Sequence, residues 1–177
     1  MIMFIYGGSS SGKSAYAEKC LSEIPADKKY YLATMDAHDS ESLKRIAKHK
    51  KAREGKGFIT IECPTDIPKA LEKVDEKASV AVLIECMSNL VANEMFGKNK
   101  LFDSKDCAKK IIKDIELFSK KISHLIIVSN NIFEDGIDYD EGTKEYLKAL
   151  SAVNKEITKM ADKNTEVVVG IPVDMGK

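Results

Sequence analysis

Between residues 4 and 19 the chain reads FIYGGSSSGKSAYAEK. The stretch matches G-x-x-x-x-G-K-[ST], with Gly7, Gly12, Lys13 and Ser14 at the fixed positions. The pattern constrains the fold because it works only between a strand and a helix. MIMFIY before it is an apolar run of strand length, and SAYAEKCLSEI after it has helical character. Gly7, Gly8 and Gly12 lack a Cβ, so the backbone there is free to take unusual angles and approach a ligand closely. Successive N–H groups across Gly7, Gly8, Ser9, Ser10, Ser11 and Gly12 then form an anion-binding nest. The positive end of the following helix dipole faces the same point. Lys13 is placed to reach β- and γ-phosphates, and the Ser14 hydroxyl to ligate Mg²⁺. The plain alternative is a Gly/Ser-rich surface turn. The expectation is a loop that holds the phosphates of a nucleotide.

The rest of the chain supplies a matching framework. MFIY (3–6), KYYLAT (29–34), FITIE (58–62), VAVLIEC (80–86), HLIIVSN (124–130) and EVVVG (166–170) read as strands. VAVLIE, LIIVS and EVVV are continuously apolar, as parallel strands covered on both faces require. Helical segments fall between them at 13–23, 40–54, 66–76, 87–96, 104–121 and 141–162. The alternation predicts an α/β fold, P-loop NTPase-like, with a mostly parallel central sheet flanked by helices. Ligands of such sheets bind beyond the carboxyl ends of the strands. No linker or repeat interrupts the pattern, so residues 1–177 read as a single nucleotide-binding domain. The segments 96–106 and 134–142 read as exposed excursions.

Composition excludes several classes. Lys+Arg and Asp+Glu both number 28, so no basic surplus argues for nucleic acid as a partner. Cys20, Cys63, Cys86 and Cys107 show no C-x-x-C spacing and read as reduced, mostly packed thiols. The N-terminal apolar run is too short for a secretory signal and has no basic flank. No stretch is long and apolar enough to span a membrane. A cytoplasmic location is expected.

Other residues answer the loop. VAVLIEC ends in Glu85, an acid at the carboxyl edge of an apolar strand, where P-loop proteins place a carboxylate for Mg²⁺. The alternative is a charge that merely ends a strand. In SLKRIAKHKKAREGK (42–56), Arg45, His49 and Arg53 recur at intervals of four and share a helix face, with Lys48, Lys50 and Lys51 around them. One reading is a solvated basic helix with an incidental histidine. The other is a histidine kept neutral by neighbouring cations and able to attack phosphorus. His38, beside Asp36 and Asp39, completes no known metal-ligand spacing.

Taken together, GGSSSGKS (7–14), YLATMD (31–36), RIAKHKKAR (45–53), IEC (61–63), LIEC (83–86) and VSNN (128–131) resemble a known family. It is the bifunctional adenosylcobinamide kinase / adenosylcobinamide-phosphate guanylyltransferase family of cobalamin biosynthesis. The resemblance runs over most of the chain and is strongest up to about residue 90. It implies two activities: phosphorylation of adenosylcobinamide, then transfer of GMP from GTP onto that phosphate through a guanylylated histidine. His49 matches that histidine. Gly7–Ser14 match the phosphate loop. Thr34, Met35 and Asp36 match the GTP site, as do Lys50, Lys51, Ala52 and Arg53; Arg45 flanks the same histidine. Glu62 and Glu85 match further nucleotide contacts, with Ser14 and Glu85 serving Mg²⁺. GTP or ATP is the phosphoryl donor, and adenosylcobinamide the acceptor. A homo-oligomer, commonly a trimer, is implied.

The chain departs from the family in two places. Asn131 stands where the family has an acid, and an insertion follows in NNIFEDGID. Leu147, Lys148 and Lys155 replace an Arg-Asp pair and a glutamine. An alternative is therefore a kinase of the same fold with one activity lost or another alcohol as acceptor. A regulatory P-loop NTPase is disfavoured, because no guanine-reading Asn-Lys-x-Asp run is present.

Overall fold

A computed structural model describes residues 1–36, 40–75, 78–97, 103–133, 136 and 138–176; of residues 40–42, 45, 48, 49 and 52 it describes the backbone only. His38 and Asp39 lie outside the described residues. So do parts of both expected excursions, 98–102, 134–135 and 137.

The elements run β1 (Ile2–Gly7), α1 (Lys13–Glu23), β2 (Lys28–Ala33), α2 (Ser40–Arg53), β3 (Ile59–Glu62) and a 3₁₀ helix (Ile67–Lys73). Then come β4 (Val80–Glu85), α3 (Met87–Phe96), α4 (Ser104–Ser119), β5 (His124–Asn130), α5 (Glu141–Met160), β6 (Lys163–Val168) and β7 (Ile171–Asp174). The strands form one sheet in the order β3-β2-β4-β5-β1-β6-β7. Its pairings are parallel except that of β7 with β6.

Strand alternation sorts side chains to two faces. Phe4, Leu32, Val82, Ile84, Leu125 and Ile127 pack under α3, α4, α5 and the 3₁₀ helix. Ile5, Tyr31, Leu83, Ile126 and Val128 face the other way, against Ala17 and Leu21 of α1. Both faces are covered, which is why the buried middles of the central strands are apolar at consecutive positions, as in Val80–Ile84 and Leu125–Val128. Leu83 and Ile84 are each 0% exposed, and burial of such a side chain contributes about 1.5–3 kcal/mol.

Two expectations differ from what is observed. The segment 66–76 forms a seven-residue 3₁₀ helix rather than an α-helix, with Pro68 in its first turn. Strand β7 corresponds to no expected element. Its four residues are all exposed and include a proline, so neither periodicity nor apolar run marks it. The four cysteines are free, and all but Cys20 are buried.

The parallel register decides where a ligand can sit. Gly7 stands beside Asn130, Ala33 beside both Glu62 and Glu85, and Glu85 beside Val128. The carboxyl ends of β1 to β5 therefore meet along one edge of the sheet.

Candidate active site

At that edge lies a cavity of about 570 Å³. Ser9, Ser10, Lys13 and Ser14 form one wall, and Ile46, Lys50 and Arg53 of α2 form another. Strand ends and the residues after them supply the floor: Tyr31, Ala33, Met35, Glu62, Glu85, Cys86, Asn89 and Asn130.

The loop wall is shaped by backbone. A Cβ on Gly7 would stand 2.5 Å from the Val167 carbonyl oxygen, so any other residue would break the packing against β6. Gly12 has φ +91° and a Cβ position 3.2 Å from Gly170 Cα. Gly8 has open space around it, so packing alone does not demand a glycine there. The Ser11 N–H donates to the Gly8 carbonyl at 3.2 Å, closing the turn. From outside, the Gly170 N–H donates to the Ser11 carbonyl at 2.7 Å and the Asn131 N–H to the Gly7 carbonyl at 2.9 Å. Gly12 stands just before helix α1 and offers it no side-chain cap. The helix's first N–H groups are the orphan donors that suit an anion. The Lys13 ammonium donates to the Gly8 carbonyl at 3.1 Å, folded across the loop.

Opposite Lys13, the Ser14 hydroxyl donates to one oxygen of Glu85. The Tyr31 hydroxyl donates to the other at 3.0 Å. Burial pushes the Tyr31 phenol far above its ordinary pKa, and the nearby Glu85 charge adds to the shift. Tyr31 is therefore a donor at any working pH. A serine hydroxyl and a carboxylate in contact make an oxygen-only donor set, which fits Mg²⁺.

Helix α2 reaches the cavity through side chains. The Arg53 guanidinium lies over the Tyr31 ring, 3.9 Å from its centroid. Arg53 is only 7% exposed, and its Nε is buried without a partner among the described residues. Lys50 pairs with Glu62 across the mouth. Just past the helix, Lys56 pairs with the buried Glu18 of α1. Positions 46, 50 and 53 line the cavity, and helical spacing places position 49 on that same face of α2.

The expected site residues divide accordingly. Ser9, Ser10, Lys13, Ser14, Met35, Lys50, Arg53, Glu62 and Glu85 come together around the cavity. Thr34 is fully buried and outside the lining: its hydroxyl donates to the Cys86 carbonyl at 2.8 Å, and its carbonyl accepts from Asn93 at 2.7 Å. Asp36 and Lys51 are exposed outside the lining. The side chains of Arg45, His49 and Ala52 lie outside the described residues.

Sequence reading missed Tyr31, Asn89 and Asn130. Asn130 ends β5 at the same edge as Glu85, so the strand-end argument applied to Glu85 would have found it. Its amide donates to the Ser88 hydroxyl at 2.7 Å, which also meets the Cys86 thiol at 2.9 Å.

Residues 3–175 match the family described as cobinamide kinase / cobinamide phosphate guanyltransferase. The chain belongs to that family. It is an enzyme that works on a nucleoside triphosphate, combining kinase and guanylyltransferase activities. Among its relatives, the bifunctional adenosylcobalamin biosynthesis protein CobU of Salmonella typhimurium is 26% identical, with 98% of each chain covered. The bifunctional adenosylcobalamin biosynthesis protein CobP of Pseudomonas aeruginosa is 25% identical, covering 97% of this chain and 95% of its own. Solved structures agree on the fold. A prototypical ATPase from the type III secretion system of pathogenic bacteria has a TM-score of 0.57 at 13% identity, with 98% of this chain matching 56% of that one. The assembled ATPase EscN of enteropathogenic E. coli, in complex with its central stalk, has a TM-score of 0.58 at 12% identity, covering 100% of this chain and 47% of that one. These likenesses bear on the P-loop α/β fold alone. Among the described residues, no helix is long and apolar enough to cross a membrane.

Proposed function

We propose that this chain phosphorylates adenosylcobinamide and then guanylylates the product through a covalent GMP–His49 intermediate, as one nucleotide-binding domain within a cytoplasmic homo-oligomer, a trimer by resemblance. The observation that carries the reading is the cavity with two unlike walls: a phosphate loop on one side, and Ile46, Lys50 and Arg53 of α2 on the other, the face on which helical spacing puts position 49.

In the kinase step, the P-loop N–H groups and Lys13 hold the β- and γ-phosphates of GTP or ATP. Ser14 and Glu85 would hold Mg²⁺, which supplies charge neutralisation on the phosphate oxygens when bound. The rest is positioning of the acceptor hydroxyl. In the second step a neutral His49 nitrogen attacks the α-phosphorus of GTP. A P–N bond forms, the α–β anhydride P–O bond breaks, and pyrophosphate leaves with the electron pair. A phosphate oxygen of adenosylcobinamide phosphate then attacks the same phosphorus. The P–N bond breaks, and His49 is regenerated. Arg53, Arg45 and Lys50 favour the neutral imidazole and screen the α-phosphate oxygens. Met35, Glu62 and the backbone near Thr34 and Asp36 complete the nucleotide's surroundings, with Lys51 and Ala52 on the same helix.

The test is incubation with α-labelled GTP. The reading expects a protein-bound label that is acid-labile and base-stable, as a histidine phosphoramidate is. No such label, with kinase activity intact, would support the one-activity enzyme that the divergent 130–155 region allows.

A further inference from the structure

We propose that Tyr31 is a positioning residue for both reactions, its hydroxyl orienting Glu85 and its ring carrying Arg53. The inference rests on the reading of Glu85 and Arg53 as working groups of this cavity.

Tyr31 is 2% exposed, yet it reaches the cavity lining. Its two ends do separate things. The hydroxyl donates to Glu85 Oε2 at 3.0 Å, while Ser14 donates to Oε1. A carboxylate held at both oxygens has its plane fixed, whereas the terminal torsion of a glutamate is otherwise soft. The ring face supports Arg53 Cζ at 3.9 Å. A guanidinium stacked on an aromatic plane keeps its donors free for an anion while its flat faces are shielded. The strand register makes the link. Tyr31 lies two residues before Ala33, whose neighbour on β4 is Glu85. One rigid side chain on β2 thus joins the carboxylate beside the phosphate loop to the last cation of α2. A residue serving packing alone would need neither its hydroxyl near Glu85 nor an arginine on its face.

The two halves are separable by substitution. Tyr31→Phe keeps the ring and removes the hydroxyl. Tyr31→Leu removes both. The measurements are kcat and KM for phosphoryl transfer, calorimetric GTP affinity with Mg²⁺ and with EDTA, and the thermal midpoint. For Tyr31→Phe, kcat should fall about tenfold to a hundredfold. GTP affinity in EDTA should hold, while the gain that Mg²⁺ adds to affinity shrinks. Tyr31→Leu should in addition weaken GTP binding in EDTA by about tenfold. The midpoint of Tyr31→Phe should stay within a few degrees of the parent. A Tyr31→Phe enzyme with the parent's kcat and Mg²⁺ response overturns the hydroxyl's role. Activity loss that merely tracks the folded fraction in both variants overturns the whole proposal. Glu85→Gln separates this from failure of the underlying reading. If Glu85→Gln is as active as the parent, the site assignment fails. If it is inactive while Tyr31→Phe is not, only the Tyr31 inference fails.

Discussion

Where the phosphate loop meets the cavity the protein presents backbone; where α2 meets it, the protein presents side chains. The loop hangs from β1, which lies between β5 and β6 inside the sheet. Gly7 is wedged against Val167, and hydrogen bonds from Asn131 and Gly170 hold the loop from both sides. Helix α2 is tied differently. Arg53 rests on Tyr31, Lys50 meets Glu62, and Lys56 meets Glu18. The first is a cation–π stack and the other two are ion pairs, so each is a side-chain contact. Backbone geometry suits a group every nucleotide shares, its phosphates. Under the proposed mechanism, the nucleophile on α2 approaches the α-phosphorus in one step and stands clear of the acceptor in another, and among the described residues the end of α2 is held by side chains rather than by backbone. The difference suggests that the two activities share the first wall and divide at the second.

The largest expected effect tests that division directly. His49→Ala should lower label uptake from α-labelled GTP by more than about 10⁴-fold, with phosphoryl transfer largely retained. Label formation in the parent should also fall as pH drops through the His49 pKa, because only the neutral ring is nucleophilic. Equal loss of both activities would mean that α2 serves binding or folding, and the two-wall comparison would collapse.

A control on the far side of the sheet comes next. Lys110 on α4 lies 2.9 Å from Asp66, 2.7 Å from Glu94 and 2.8 Å from Asp114. Glu94 is fully buried and also accepts from the Asp66 N–H at 2.8 Å, so Lys110→Met would remove the cation beside its carboxylate and cost up to about 3 kcal/mol of stability, read by chemical unfolding. GTP affinity per folded molecule should not change. The hydrogen bond from Lys110 lowers the Asp66 pKa from 3.8 to about 2, with Lys69 adding to it. A depressed folded pKa contributes stability that is present above the ordinary value and lost as pH falls through the folded one. Parent stability should thus decline between about pH 4 and pH 2, and this part of the decline should shrink in Lys110→Met.

Lys13→Ala addresses the shared wall. It should weaken GTP and ATP binding by about a hundredfold and lower both activities together, with the thermal midpoint near the parent's. Loss of one activity alone would show that the loop, too, is divided between the steps.

How much of this could be read beforehand follows the same line. The loop was legible because its chemistry is written in consecutive residues. The strands ending at Ala33, Glu62, Glu85 and Asn130 were legible as apolar runs, and Glu85 stood out as an acid at a strand end. The exposed β7, Ile171–Asp174, left no such trace. Nor did Tyr31, whose partners lie 54 residues away in Glu85 and 22 away in Arg53; only the pairing of β2 with β4 brings the first of them near. Thr34 shows the reverse case. It stands in a stretch that resembles the nucleotide site, yet its hydroxyl is spent on the Cys86 carbonyl. The basic face of α2 was visible as spacing, but spacing alone could not tell a solvated helix from a catalytic one. The structure adds that the C-terminal end of α2 faces the cavity, with Arg53 buried against an aromatic ring.

The smallest expected effect lies at the mouth of the cavity. Lys50 and Glu62 pair there with side chains 53% and 61% exposed. A pair so exposed contributes less than about 1 kcal/mol, because water and salt screen it. Glu62→Gln should therefore leave the thermal midpoint almost unmoved. Its effect belongs to function instead. Without the carboxylate, α2 keeps Arg53 on Tyr31 but loses a tether one turn earlier. Guanylyl transfer should slow by no more than about threefold, and added salt should produce a similar change in the parent. Phosphoryl transfer, which depends on the loop wall, should be unaffected. A loss of guanylyl transfer beyond about tenfold would exceed what a screened pair supplies. The resemblance's reading of Glu62 as a nucleotide contact would then outweigh its role as a tether, and α2 would be held less by its tethers than by the ligand it covers.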